Sequence, residues 1–134
     1  MKYMLDTSIC VSLIRNNPEC VLANLRANRR DGIAISTIVL AELEYGAEMS
    51  AFPEKNSRIL NRFLLPITVL HFDDFAAVEY GLIRAALQKR GTPIGLMDML
   101  IAAHAMSEGL TLVTNNIREF ERVEGLAIAN WVEP

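Results

Sequence analysis

The chain has 134 residues, half of them hydrophobic, with seven glycines and five prolines; this suffices for one sizeable core and excludes a disordered or low-complexity protein. Two cysteines, Cys10 and Cys20, stand in no framework of spacings, which excludes a disulfide scaffold and reads as buried thiols in a reducing compartment. A formal net charge of −3 offers no overall basic surface to a polyanion, although basic residues cluster as Arg26/Arg29/Arg30, Lys55/Arg58/Arg62, Lys89/Arg90 and Arg118/Arg122.

From the N-terminus, residues 2–5 read as a strand, because Tyr3, Met4 and Leu5 make an apolar run too short for a helix. Ile33–Ser36 is a second strand, introduced by the turn pair Asp31-Gly32. A helix over 37–49 starts with a capping-type hydroxyl, and another is expected over 54–64. Residues 67–72, rich in β-branched side chains after Pro66, form a third strand. Asp73 or Asp74 caps a helix over 75–90 that stops at Gly91, and Leu96–Glu108 is a helix stopped by Gly109. Strands over 111–114 and 127–131 complete the set. Strands alternating with helices of this length predict an α/β fold: a three-layer α/β/α sandwich around a parallel sheet of four to five strands.

No targeting segment is visible, since Asp6 interrupts the N-terminus almost at once. The longest apolar stretch, 96–106, is far short of the about 20 residues a membrane span needs. The expectation is one domain over 1–134 in a cytoplasmic protein with no membrane partner.

Three carboxylates resist a purely structural reading. Asp6 follows directly on the first strand, where open parallel sheets place ligands, outside the carboxyl ends of the strands; the competing reading is an N-cap for a helix beginning Thr7-Ser8-Ile9. Glu42 shares helical spacings with Ile38, Val39, Tyr45, Gly46 and Met49, so it sits on an apolar stripe, whereas Glu44 pairs with Glu48 as a surface residue would. Burying Glu42 unpaired would cost several kcal/mol, so it calls for a cation. Asp98 is the one acid of the stretch 96–106, apolar almost all round, on a face with Ile101, Ala102 and Ala105; its place in the first turn suits the helix dipole, and N-capping is the alternative. His104 reads as a packed, hydrogen-bonded histidine rather than a ligand.

Three acids on three elements of one small sheet suggest one shared site, and oxygen-only ligands suit hard ions such as Mg²⁺ or Mn²⁺. Zinc does not fit, because His71 and His104 are far apart and the cysteines complete no ligand spacing. A hard ion lowers the pKa of bound water and polarises a phosphate. With no nucleophile elbow, P-loop or Cys/His pair, the residues point to phosphodiester hydrolysis by metal-activated water. A non-catalytic binding module whose acids merely cap helices is the competing class.

At Met4-Leu5-Asp6-Thr7-Ser8, at 36–47 (Ser36 through Glu42 to Ala47), at 93–105 (Pro93 through Asp98 to Ala105) and at 112–123 (Leu112 through Thr114 and Asn116 to Val123) the sequence resembles PIN-domain proteins. More narrowly, it resembles VapC toxins of type II toxin–antitoxin pairs. The resemblance covers residues 2–131, and its motifs are specific in combination. It implies a Mg²⁺- or Mn²⁺-dependent endoribonuclease toxin, often a homodimer, held inactive by a cognate VapB-type antitoxin that lies over the site. It further implies that operator DNA is bound only through that antitoxin, and that the RNA substrate is initiator tRNA, cut in its anticodon loop.

One departure stands out. Many PIN domains carry a fourth acid in a Thr-x-Asp segment; here Asn116 holds that place after Thr114. Asn116 can donate to a water or a phosphate oxygen, and Glu119 can reach into the site from the next turn, so a single tightly held ion is expected. The catalytic set is then Asp6, Glu42, Asp98 and Glu119, the first three holding the metal, with Thr7, Ser8, Thr114 and Asn116 in support. Two other Mg²⁺-dependent classes fit less well. A dehalogenase-type phosphatase wants an acid where Ser8 stands, and a receiver domain wants a lysine beyond Lys89.

Overall fold

Five short strands pair in parallel in the order β3-β2-β1-β4-β5, with β1 at the centre. They are β1 (Tyr3–Leu5), β2 (Ile33–Ser36), β3 (Thr68–Leu70), β4 (Thr111–Val113) and β5 (Ile128–Ala129). The structure, a computed structural model, describes residues 1–16 and 18–132. All four residues of β2 are buried, as are Met4, Leu5, Leu112 and Val113. Continuous apolar runs of this kind belong to parallel sheets covered on both faces, and the architecture is the expected three-layer α/β/α sandwich.

Among the described residues seven α-helices cover the sheet: α1 (Thr7–Arg15), α2 (Glu19–Ala27), α3 (Thr37–Glu48), α4 (Pro53–Leu64), α5 (Asp74–Arg90), α6 (Leu96–Glu108) and α7 (Ile117–Phe120). Their ends follow local chemistry. Asp73 caps α5 by accepting the Ala76 N–H, and Gly91 and Gly109 close α5 and α6 at φ 68° and 67°, in the left-handed region that favours glycine. α6 is the buried helix, with Ile101 to Ala105 all in the core, and α5 packs along its outer side.

The sequence reading needs correction in several places. α2 was absent from it: the helix is nine residues long and its N-cap, Pro18, makes no side-chain bond, so no start signal marks it. The first helix, weighed only as an alternative to a site role for Asp6, is formed. Cys10 is buried, but Cys20 is only half-buried, its thiol donating to the Val132 carbonyl at 2.9 Å; both are free. Among the described residues, no helix is long and apolar enough to cross a membrane.

Candidate active site

Because β1, β2 and β4 run side by side in one direction, their carboxyl ends open onto one edge of the sheet. Asp6 stands at the end of β1, Ser36 at the end of β2, and Thr114 just beyond β4. The helices leaving or approaching this edge bring the other acids: Glu42 on α3, Asp98 in the first turn of α6 and Glu119 on α7.

Asp6 is only 4% exposed and performs both roles weighed for it. Its Oδ1 caps α1, accepting the Ile9 N–H at 3.0 Å and the Ser8 hydroxyl at 2.6 Å, while Oδ2 accepts the Thr114 hydroxyl. Thr114 Oγ1 in turn accepts the Asn116 N–H at 2.9 Å. These donors fix the orientation of both carboxylate oxygens.

Glu42 corrects the argument made for it. Its stripe is not buried: Val39 and Leu43 face the core, but Tyr45 and Met49 are 68% and 69% exposed. α3 packs on the sheet through one narrow face, so Glu42 lies at the boundary, half-buried. Its partner is the Thr7 hydroxyl, which donates to Oε1 at 2.7 Å.

For Asp98, capping is excluded, since Gly95 is the N-cap of α6 and no side chain makes a cap bond. A methyl group at position 95 would lie 3.4 Å from Asp98 Oδ2 and 4.0 Å from Glu119 Oε1, so residue 95 borders both acids. The Gly95 N–H donates to Glu119 Oε1 at 3.0 Å, and Asn116 Nδ2 donates to Oε2 at 2.6 Å. Asn116 is therefore turned to Glu119. The buried Phe120 beside it seats this short helix in the core.

Electrostatics tie the four acids into one group. Burial, then the negative charges of Glu119, Asp6 and Glu42, push the Asp98 carboxyl up to about 6, and in its protonated form it hydrogen-bonds Glu119. Glu119 moves the other way: hydrogen bonds from Asn116 and Gly95 hold it below the usual carboxylate value. The donor set is all oxygen, and its mutual repulsion is of the kind a hard divalent cation relieves. The group is convergent rather than closed. Among the described residues, no three His, Cys, Asp or Glu side chains stand at spacings that would already hold an ion.

The structure thus brings Asp6, Glu42, Asp98 and Glu119 to one edge, with Thr7, Ser8, Thr114 and Asn116 each bonded to one of them. The sequence reading assigned no role to Asn115, whose Oδ1 lies 2.8 Å from Ser8 Oγ, or to the Gly95 N–H. Asn115 lies two residues beyond β4, directly after the strand expected over 111–114, which was the available signal; a backbone donor leaves none.

This site lies in a recognisable family. The PIN domain model matches residues 3–126, and the chain belongs to the PIN-domain family. It is 46% identical over 131 residues, 98% of either chain, to the tRNA(fMet)-specific endonuclease VapC of Salmonella typhimurium. It is 46% identical over 132 residues to the ribonuclease VapC2 of Haemophilus influenzae, covering 98% of this chain and 99% of that one. Among solved structures it resembles a chain of VapBC2 from Rickettsia felis bound to a DNA fragment from its promoter, with TM-score 0.94 and 43% identity over 98% of this chain and 99% of that one. Nucleases of the PIN family are in general dependent on divalent metal ions.

Proposed function

We propose that this protein is a VapC-type endoribonuclease toxin in which Asp6, Glu42 and Asp98 hold Mg²⁺ or Mn²⁺ and Glu119 completes the acid set. The observation that carries the reading is the convergence of carboxylates from β1, α3, α6 and α7 at the carboxyl edge of one parallel sheet. The relatives' names and complexes support the tRNA substrate, the antitoxin and the operator DNA. The substrate is tRNA, with the anticodon loop of initiator tRNA the expected target. A VapB-type antitoxin neutralises the enzyme and carries operator DNA binding. The protein works in the cytoplasm as a homodimer of single-domain chains spanning 1–134.

When bound, the ion supplies Lewis acidity for the scissile phosphate and a more acidic water. The chain's own residues do the holding. Asp6 is tethered through both oxygens, so it is the fixed point of the site. Thr7 orients Glu42, and Gly95 with Asn116 orients Glu119, as donors behind ligands commonly do. Asp98 is the acid of the set whose carboxyl is pushed toward neutral pH, to about 6, by burial and by the charges of Glu119, Asp6 and Glu42. Four crowded carboxylates repel a phosphodiester, which is why RNA and cation are expected to occupy the site together.

The test is cleavage of total bacterial tRNA by antitoxin-free protein, with Mg²⁺ or with excess EDTA. Discrete fragments formed only with the metal support the reading, and mapping their ends names the target. Intact tRNA under both conditions, from a folded protein, would return the weight to a binding module.

A further inference from the structure

His104 is 0% exposed and takes no part in the acid set. Its Nδ1 lies 2.7 Å from Ser36 Oγ, itself 0% exposed. Ser36 is the last residue of β2 and the N-cap of α3, its Oγ accepting the Ile38 N–H at 3.0 Å. Ser36 Oγ keeps its hydroxyl proton and a second lone pair for the bond to Nδ1, whichever imidazole tautomer is present. Nε2 lies 3.9 Å from Glu108 Oε1, with no hydrogen-bond partner among the described residues. The next residue is pinned too: Thr37 Oγ1 accepts the Phe72 N–H at 3.1 Å, and the Phe72 ring meets the imidazole edge-on at 5.5 Å between centroids.

This bond joins the two helices that carry Glu42 and Asp98. Glu42 lies six residues after Ser36, and Asp98 six residues before His104, which is about 9 Å of helical rise in each case. α3 and α6 are otherwise in modest contact, and neither supplies a second buried polar link to the other among the described residues. An imidazole with one nitrogen left unpaired in the core costs stability, so a purely structural site would favour an apolar residue of the same size.

We infer that the buried Ser36–His104 pair is a positioning device, which fixes α3 against α6 and thereby sets the spacing of Glu42 from Asp98. The inference rests on the reading of those acids as metal ligands. Loss of the bond lets the helices shift by fractions of an ångström, which loosens an ion held from both sides while leaving the ligands themselves intact.

The experiment uses antitoxin-free, full-length protein and Mn²⁺ at 25 °C, with two readouts: the Mn²⁺-induced rise in melting temperature, and the Mn²⁺ concentration giving half-maximal tRNA cleavage. The variants are His104→Leu, which removes the bond, and His104→Asn, whose amide replaces Nδ1. The half-saturating Mn²⁺ concentration is expected to rise about fivefold or more in His104→Leu, the Mn²⁺-induced thermal shift to shrink, and His104→Asn to stay within about twofold of the wild type. A mere loss of core packing lowers the melting temperature without metal but leaves half-saturation unmoved. That result in His104→Leu, or an Asn variant as impaired as the Leu variant, would overturn the proposal. Should His104→Leu fail to fold, Ser36→Ala against Ser36→Thr, which keeps both cap and hydroxyl, decides on the same readouts. Asp98→Asn, run alongside, isolates the underlying reading: Mn²⁺ response and cleavage unchanged in that variant would sink the metal site itself, whatever His104 does.

Discussion

The hydroxyl of Thr114, one residue beyond β4, donates to Oδ2 of Asp6, one residue beyond β1. Neighbouring parallel strands bring the two together, and both side chains are buried. Asp6 thereby spends one oxygen on the α1 cap and the other on β4, and its orientation is a property of the sheet. Thr114→Val keeps the shape but removes the donor to Asp6 and the acceptor for the Asn116 N–H. The expected cost is about 1–3 kcal/mol of stability, with a fall in cleavage rate at saturating metal. Thermal unfolding and single-turnover kinetics check both; a variant as active as wild type would show that Asp6 needs no such tether.

Asp6 can also be tested for its two roles separately. Asp6→Asn keeps an oxygen able to accept the Ile9 N–H, whereas Asp6→Ala loses the cap, a difference of about 1 kcal/mol. Both are expected to abolish cleavage. Melting curves should rank Ala below Asn while activity assays find the two alike, and activity retained by Asn would confine Asp6 to capping.

Asp98 is held well above its ordinary value of 3.8, at about 6. The unfolded chain ionises at the lower value, so the metal-free fold bears the cost of the charge above pH 6, sheds it as pH falls, and is free of it below about 3.8. Asp98→Asn is therefore expected to stabilise the EDTA-treated protein at pH 7.5, by about 1–2 kcal/mol after discounting for partial exposure. The gain should vanish near pH 4. Wild type more stable than the variant at pH 7.5 in EDTA would contradict the crowding of charge at this edge.

His104 has the opposite sign. Burial lowers its pKa from the ordinary 6.5; the carboxylates of Glu108 and Asp73 and the backbone of His71 partly offset this, and the charge of the His71 side chain adds to it. As pH falls below 6.5 the unfolded chain takes the proton first, so the fold loses stability in that direction and keeps it above. In EDTA, the loss between pH 7 and pH 5.5 should be smaller in His104→Asn than in wild type. Parallel stability profiles for the two proteins would show that His104 does not titrate on unfolding.

Glu119 is held at the site edge by the Gly95 N–H and by Asn116. Glu119→Ala is expected to lower cleavage less than Asp98→Ala, and Asn116→Ala to do so through the loss of its bond to Glu119. Rate constants at saturating Mn²⁺ rank the three. An effect of Glu119→Ala as deep as that of Asp98→Ala would make it a direct metal ligand.

The strands and the long helices were legible because each carries its own signal: turn pairs before β2, a capping aspartate before α5, glycine after α5 and α6. Asp98 was legible as the one acid in the apolar stretch 96–106. Glu42 was identified by an argument that the fold does not bear out, since half of its apolar stripe faces outward; local periodicity does not say which way an exposed apolar face points. α2 was illegible because it lacks a side-chain cap, and the Gly95 donor because a backbone N–H has no residue type. The Ser36–His104 pair spans 68 residues, a distance no local pattern reports.

The most direct test is Mn²⁺ binding, followed by electron paramagnetic resonance, to antitoxin-free wild type and to Asp98→Asn with the fold confirmed in each. One bound Mn²⁺ per wild-type chain is expected, with binding weakened by at least about tenfold in the variant. Equal binding by both proteins, or none by the folded wild type, would contradict the claim that these carboxylates form a metal site.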